Sequence, residues 1–298
     1  MILAAGAFAS VAILGPLPSK AADAEIPVNA ETVGHRINLA GRQRMLLERM
    51  AKMFCYARSG VDVMASVENL TKSKDMFAAT HTAFSQGDAA MKIFPETVDS
   101  VRDSWIKVNG DWAVLSEIYD RALGGAFVSE EDFATANAVT LSTRKEANDM
   151  VAQLRTAYAP QLGGGGFGSA ILIDLYGRQR MLSQKLSKEV CLVARGHELD
   201  KTRPELAATL ELFENSLNAF INGMPIAGVP VPPSDEIATQ LAVAEAEWAA
   251  VADVAHAVAE GDAVSLVELE RFAQGTDKFL PEMNKAVQLL AAHNAKTN

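Results

Sequence analysis

Gly41-Arg42-Gln43-Arg44-Met45-Leu46 returns unchanged as Gly177-Arg178-Gln179-Arg180-Met181-Leu182, an offset of 136 residues. The same offset carries Ile37 onto Ile173, Lys52 onto Lys188, Cys55 onto Cys191, Phe77 onto Phe213 and Phe84 onto Phe220. Further along it carries Gly87 onto Gly223, Trp112 onto Trp248, Ser129 onto Ser265, Asn148 onto Asn284, Val151 onto Val287 and Leu154 onto Leu290, with no gap. Coincidence does not keep a six-residue identity, both cysteines and two of three tryptophans in one register. The chain is a tandem duplication, and one reading serves both halves.

Each copy reads as four helices. In the first they run from about Ala30 to Ser59, Asp62 to Gln86, Glu96 to Leu123 and Glu130 to Tyr158. Gly124-Gly125 stops the third, and Ser129-x-x-Asp132 has the form of a capping box opening the fourth, repeated as Ser265-x-x-Glu268. The proline-rich stretch from Gly223 to Pro233 separates the second and third helices of the second copy, because closely spaced prolines cannot continue a helix. The expected fold is all-α, two tandem four-helix bundles related by a pseudo-twofold. The sequence divides into a leader over 1–24, a first domain over 25–160, a flexible Gly163-Gly164-Gly165-Gly166 linker within 161–168, and a second domain over 169–298.

Composition agrees. At 298 residues the chain is long enough for two domains. Hydrophobic residues make up 49% and aromatics only 6%, as suits packed helices better than a β-sandwich. A formal charge of −10 repels phosphate backbones and argues against a nucleic-acid partner. Ile2 to Leu14 is apolar or small, Gly15-Pro16-Leu17-Pro18 breaks it, and Ser19-Lys20-Ala21 and Ala22-Asp23-Ala24 offer cleavage sites, although no basic residue precedes the apolar run. This reads as a signal peptide and a periplasmic address, with no transmembrane span in the mature chain. His35, His81, His197, His256 and His293 have no zinc-ligand spacing, and no CxxCH, nucleophile elbow, phosphate loop or dinucleotide fingerprint occurs. No cofactor is expected, and binding rather than catalysis.

On the first helix, Ile37, Gly41, Arg44, Glu48, Ala51 and Cys55 alternate spacings of 4 and 3, the seam of a paired helix, and Ile173, Gly177, Arg180, Gln184, Ser187 and Cys191 repeat it. Arg44 and Cys55 lie within about 20° of three full turns, so they share a face. If the two first helices pair in parallel, Arg44 faces Arg180 and Cys55 faces Cys191. Two facing guanidiniums at 5 Å repel by about 3 kcal/mol at an effective dielectric near 20, and they cannot shed their charge. Something anionic belongs between them: Glu48, an i,i+4 neighbour of Arg44, or a small planar oxyanion that matches the guanidinium fork. Gly41 and Gly177 remove bulk one turn earlier and leave room for a pocket. For Cys55 and Cys191 a disulfide and two buried thiols both stand. Met45, Met181, Phe77, Phe213, Trp112 and Trp248 read as bundle core.

The run from Ile37 to Leu46, Ile-Asn-Leu-Ala-Gly-Arg-Gln-Arg-Met-Leu, resembles the signature of the PilJ-type sensory domain of type IV pili chemotaxis transducers. It is also similar to the P-box of the NarX and NarQ nitrate and nitrite sensor kinases. The resemblance implies a periplasmic four-helix bundle in which the P-box helices of two subunits pair and one arginine from each grips a nitrate. By motif position those arginines are Arg44 and Arg180, with Gly41, Gly177, Asn38, Arg42 and Arg178 around them. Duplication would then fuse the two halves of a dimeric site into one chain. Departures make the halves unequal: Asp174 and Tyr176 replace Asn38 and Ala40, and Leu47-Glu48 stands where the second copy has Ser183-Gln184.

The function expected is therefore periplasmic sensing of nitrate or nitrite, reported to a membrane sensor or a transporter component. Two rivals remain: a helical interaction module that has lost its ligand, and a thiol/disulfide redox protein.

Overall fold

The computed structural model describes residues 26–297, so the leader expected over 1–24 lies outside the described residues. The first copy supplies α1 (Ala30–Arg58), α2 (Val63–Gln86), α3 (Asp99–Leu123) and α4 (Glu130–Ala157). The second supplies α5 (Ala159–Ala194), α6 (Leu199–Asn222), α7 (Asp235–Ala249), α8 (Ala252–Glu260) and α9 (Leu266–Thr297). Among the described residues there is no strand, and no helix is long and apolar enough to cross a membrane.

Local chemistry sets the helix ends twice over. Asn29 caps α1 in a box with Thr32, Ser129 caps α4 with Asp132, and Ser265 does the same with Glu268 for α9. Each second helix ends in a small hairpin closed by one bridge, Asp88 with Ile93 and Met224 with Val229. Gly87 and Gly223, equivalent in the repeat, have φ of 79° and 76°. A Cβ there would stand 2.9 Å from Pro95 Cδ or Val231 Cγ1, so both hairpins need glycine for conformation and for space.

The copies pack through their first helices. Nearly every residue of α1 from Arg36 to Tyr56 is buried, because α1 lies between its own bundle and α5. The larger core draws on both copies, Phe54, Phe77 and Phe133 joining Phe213, Phe272 and Phe279 in one cluster. The repeat is visible inside it: Phe77 packs on Trp112 at 4.4 Å between ring centres, and Phe213 packs on Trp248 at 4.7 Å.

Three expectations need correction. The third helix begins at Asp99 and not at Glu96, because the Glu96 carboxylate turns inward and accepts from the N–H groups of Thr97 and Val98 and from the Tyr158 hydroxyl. The glycine run expected as a flexible linker holds a one-residue break: α5 is two helices that meet at a kink at Gly163, at φ 64° and ψ 176°, and the glycines after it are helical. Buried Leu162 and Ala170 hold the segment against the first copy's core and override the poor helix propensity of glycine. Finally, the counterpart of α3 is broken into α7 and α8 at Val251. A Cβ on Gly275 of α9 would overlap the Val251 methyl groups, so the break lets Val251 seat directly on the glycine backbone. The first copy has Leu115 and Val139 at these positions and keeps its helix whole.

Gly275→Ala should therefore destabilise the protein by about 1 to 3 kcal/mol through overpacking, and Val251→Ala in the same chain should recover most of the loss in chemical denaturation. Gly110→Ala, in α3 where nothing lies near the added methyl, should instead raise stability by up to about 1 kcal/mol.

Candidate anion site at the paired first helices

α1 and α5 run in parallel, and Cys55 and Cys191 join them by a disulfide with Cα atoms 6.2 Å apart. Of the two states the spacing left open for the cysteines, the structure holds the bonded one. Contacts toward the N-terminal ends are reciprocal. Arg44 of α1 pairs with Asp174 of α5, and Arg180 of α5 donates to Asn38 Oδ1 of α1 at 2.8 Å. Since Asp174 is the repeat equivalent of Asn38, these are the same contact made twice about a pseudo-twofold.

Each arginine is also held from its own copy's fourth helix, Arg44 by Asn148 Oδ1 at 2.8 Å and Arg180 by Asn284 Oδ1 at 2.7 Å. Both guanidiniums are buried, at 2% exposure. Gly41 and Gly177 explain how they fit. A Cβ on Gly41 would stand 3.1 Å from Arg44 Nη2, and one on Gly177 would stand 3.0 Å from Arg180 Nη2. The room expected to form a pocket between backbones is thus filled by the arginine heads themselves. Gln43 and Gln179 tie the motif to the second helices by donating to the carbonyls of Phe77 and Phe213.

The internal anion is Asp174 and not Glu48. Asp174 serves Arg44, Arg155 at 3.1 Å and, more loosely, Arg178 at 3.5 Å. Glu48 points to the next layer, where Lys188 reaches it at 2.7 Å and Arg144 at 2.8 Å. Burial works to raise the Glu48 pKa, but Lys188 and Arg144 overcome it and hold the carboxyl below its ordinary range. Across the seam the symmetry-related pair is Lys52 with Gln184, and because Gln184 is neutral, Asp277 of α9 supplies the carboxylate at 2.7 Å. Burial still lowers the Lys52 pKa to about 8, Asp277 offsetting only part of the effect.

Charge matching makes one residue stand out. Among the described residues the buried Lys and Arg side chains are Arg36, Arg44, Lys52, Arg180 and Lys188. Four of them have a carboxylate at ion-pair distance, respectively Glu96, Asp174, Asp277 and Glu48. Among the described residues Arg180 has none. Its hydrogen-bond partners are the neutral Asn38 and Asn284, and burial first, then the charges of Arg42 and Arg44, bring its pKa down to about 10, with Asp174 offsetting part of this from beyond ion-pair distance. It remains a cation at neutral pH.

Of the residues singled out from the motif, the structure gathers Arg44, Arg180, Gly41, Gly177, Asn38 and Arg178 into this layer. Arg42 lies at its edge, donating to Thr80 Oγ1 at 3.2 Å and lining, with Asn38, a cavity of about 890 Å3 that opens between the N-terminal ends of α1 and α5. Sequence reasoning passed over the roles of Asn148, Asn284, Arg155, Arg144 and Asp277. The first two were visible as a repeated pair, whereas the others have no partner in the other copy.

A buried, charge-bearing seam between parallel helices thus joins two like helical bundles. The family model described as Type IV pili methyl-accepting chemotaxis transducer N-term matches residues 29–127 and 168–272, one segment in each copy. These segments cover more than half of the chain, which belongs to that family and carries its sensory domain twice. No curated protein matches the chain.

The Lys52 layer yields a pH dependence. A lysine whose folded pKa is depressed below its unfolded value of about 10.5 loses stability as pH falls through 8, and its penalty is gone above about 10.5. Relative to Lys52→Met, the wild type should therefore gain stability between pH 8 and about 10.5, by about 3 kcal/mol at most. Urea denaturation of both proteins across that range measures the difference, and a flat difference contradicts the assignment.

Proposed function

We propose that the protein is an exported, non-catalytic sensor of a small oxyanion, nitrate or nitrite, with Arg180 as the principal anion-binding residue. The observation that carries this reading is the buried guanidinium of Arg180 with neutral partners only. An unmatched buried charge costs several kcal/mol, and a monovalent anion at that point removes the cost. The site is one-sided, because Asp174 already neutralises Arg44. Asn38 and Asn284 now accept from Arg180 through their Oδ1 atoms. Turning either amide over presents its N–H2 group instead, so the same two side chains become donors to an oxyanion bound on the guanidinium fork. Asn38 also lines the large cavity, which gives the ligand an approach from the N-terminal ends of the helices.

Binding adds a shared counter-charge between α1 and α5 and favours their closer approach on that side. A ligand that prefers one arrangement of the two helices shifts the population toward it. The family's signalling role then implies a membrane sensor component that reads the shift, with a transporter component as the other candidate partner.

Calorimetric titration with sodium nitrate and sodium nitrite, against chloride at equal ionic strength, tests the reading. Saturable heat is expected, lost in Arg180→Gln and weakened less by Arg44→Gln. No heat beyond chloride in the wild type overturns it. The burial of the Arg44 and Asp174 pair favours a second reading, in which Asp174 is a tethered replacement for the ligand. Asp174→Asn should cost about 3 to 5 kcal/mol by leaving Arg44 bare, and nitrate should recover part of that loss. If nitrate stabilises Asp174→Asn but leaves the wild type unchanged, the second reading holds.

A further inference from the structure

The first copy contains a polar cluster for which the second has no counterpart. Arg36 of α1 is buried, pairs with Glu96 at 2.9 Å and donates to the carbonyls of Phe84 and Phe94. Its guanidinium carbon lies 5.2 Å from the Phe84 ring centre and 4.7 Å from that of Phe94, and the Tyr158 hydroxyl donates to Glu96 at 2.7 Å. At the equivalent positions the second copy has Leu172, Pro232 and Asn294. It builds the same bundle without the ion pair, so the fold does not demand one. A buried ion pair is seldom more stabilising than apolar residues of similar volume.

Beside this cluster a cavity of about 240 Å3 opens among α1, α2, α3 and α4. Trp105, Met150 and Leu154 give it apolar walls, and Arg36, Glu96 and Arg102 give it charge. Trp105 is the tryptophan that the repeat does not reproduce, its equivalent being Leu241, and Arg102 is replaced by Ala238. The indole N–H is already committed to the His81 carbonyl at 2.8 Å, which fixes the ring as a wall. Arg36 and Glu96 cancel in charge. Arg102 is exposed and meets Asp99 only at 3.4 Å, so its guanidinium is available and the lining is net positive. Arg36 Nε, buried and without a hydrogen-bond partner, is a spare donor. Apolar walls with a few converging polar groups are the usual make-up of a small-molecule site, and the volume is that of about eight water molecules.

We propose that this cavity is a second ligand site, confined to the first copy, for a small amphipathic monocarboxylate whose apolar body lies on Trp105 and Met150 and whose carboxylate meets Arg102. The site is independent of the anion reading at Arg180. Arg36 stands about two turns before Arg44 on α1, and the cavity is lined by neither Arg44 nor Arg180, so the two sites share no residue.

The test is calorimetric and fluorescence titration of the full chain with benzoate and hexanoate, with benzyl alcohol and benzylamine as neutral and cationic controls. Benzoate should bind saturably and change the tryptophan emission, and Trp105→Phe should remove the emission change. Arg102→Ala, on the surface and outside the core, should weaken binding about tenfold, as loss of a charge-assisted contact requires. Met150→Trp should fill the cavity and abolish binding. Saturating nitrate should leave benzoate affinity unchanged. No saturable binding of either carboxylate overturns the proposal, as does equal affinity for benzylamine, competition by nitrate, or benzoate binding that Arg102→Ala leaves intact.

Discussion

The pairing of α1 with α5 places Arg44, Lys52, Arg180 and Lys188 in the driest part of the molecule, where an unmatched charge costs several kcal/mol. Much of the rest of the structure answers that constraint. Glu48 meets Lys188 across the seam, and where the second copy has the neutral Gln184 in place of Glu48, Lys52 would stand bare. Asp277 of α9 makes up the deficit at a position the first copy gives to Leu141. Arg144 of α4 in turn steadies Glu48 where the second copy has Leu280. The fourth helices have thus diverged in step with the first. In the arginine layer Asp174 balances Arg44, and among the described residues no carboxylate stands at ion-pair distance from Arg180.

Fusing two copies into one chain is what permits such inequality. In a symmetric pair of identical subunits, positions 38 and 174 would be one residue. An aspartate there would neutralise both arginines and an asparagine neither. With Asn38 on one side and Asp174 on the other, the duplicated chain keeps one arginine matched and leaves its twin with amide oxygens only. The same freedom has let the Arg36 and Glu96 pair and its neighbouring cavity exist in one bundle alone.

The repeat made much of this legible in the sequence. The four helices of the first copy, the capping boxes of the two fourth helices, the parallel pairing of the first helices and the meeting of Cys55 with Cys191 were all readable from the repeat and its seam. That Arg44 takes Asp174 did not follow, since the seam contains Glu48 one turn away on the same helix, whereas Asp174 stands one residue past the seam position Ile173 and reaches Arg44 from the facing helix. The glycine run was misleading for another reason: propensity is local, whereas the burial of Leu162 and Ala170 that keeps it helical is tertiary. The break at Val251 arose from Gly275, 24 residues away, where an absent side chain left no hydrophobic pattern to read.

That break bears on the seam more directly than its distance in sequence suggests. Val251 rests on Gly275, and the next two residues, Thr276 and Asp277, are the ones that hold the Lys52 ammonium, at 2.9 and 2.7 Å. Thr276 also donates to Ser187, which in turn donates to the Tyr56 hydroxyl beside the disulfide. The Cys55–Cys191 bond ties α1 to α5 about 16 Å further along the helices than the arginine layer. Between those levels the Lys52 ammonium is held by the segment of α9 on which the interrupted helix is seated. The first copy has Leu115, Val139 and Leu141 where the second has Val251, Gly275 and Asp277, and its third helix is unbroken, so the two bundles brace the seam with different residues and different backbone as well as different charge.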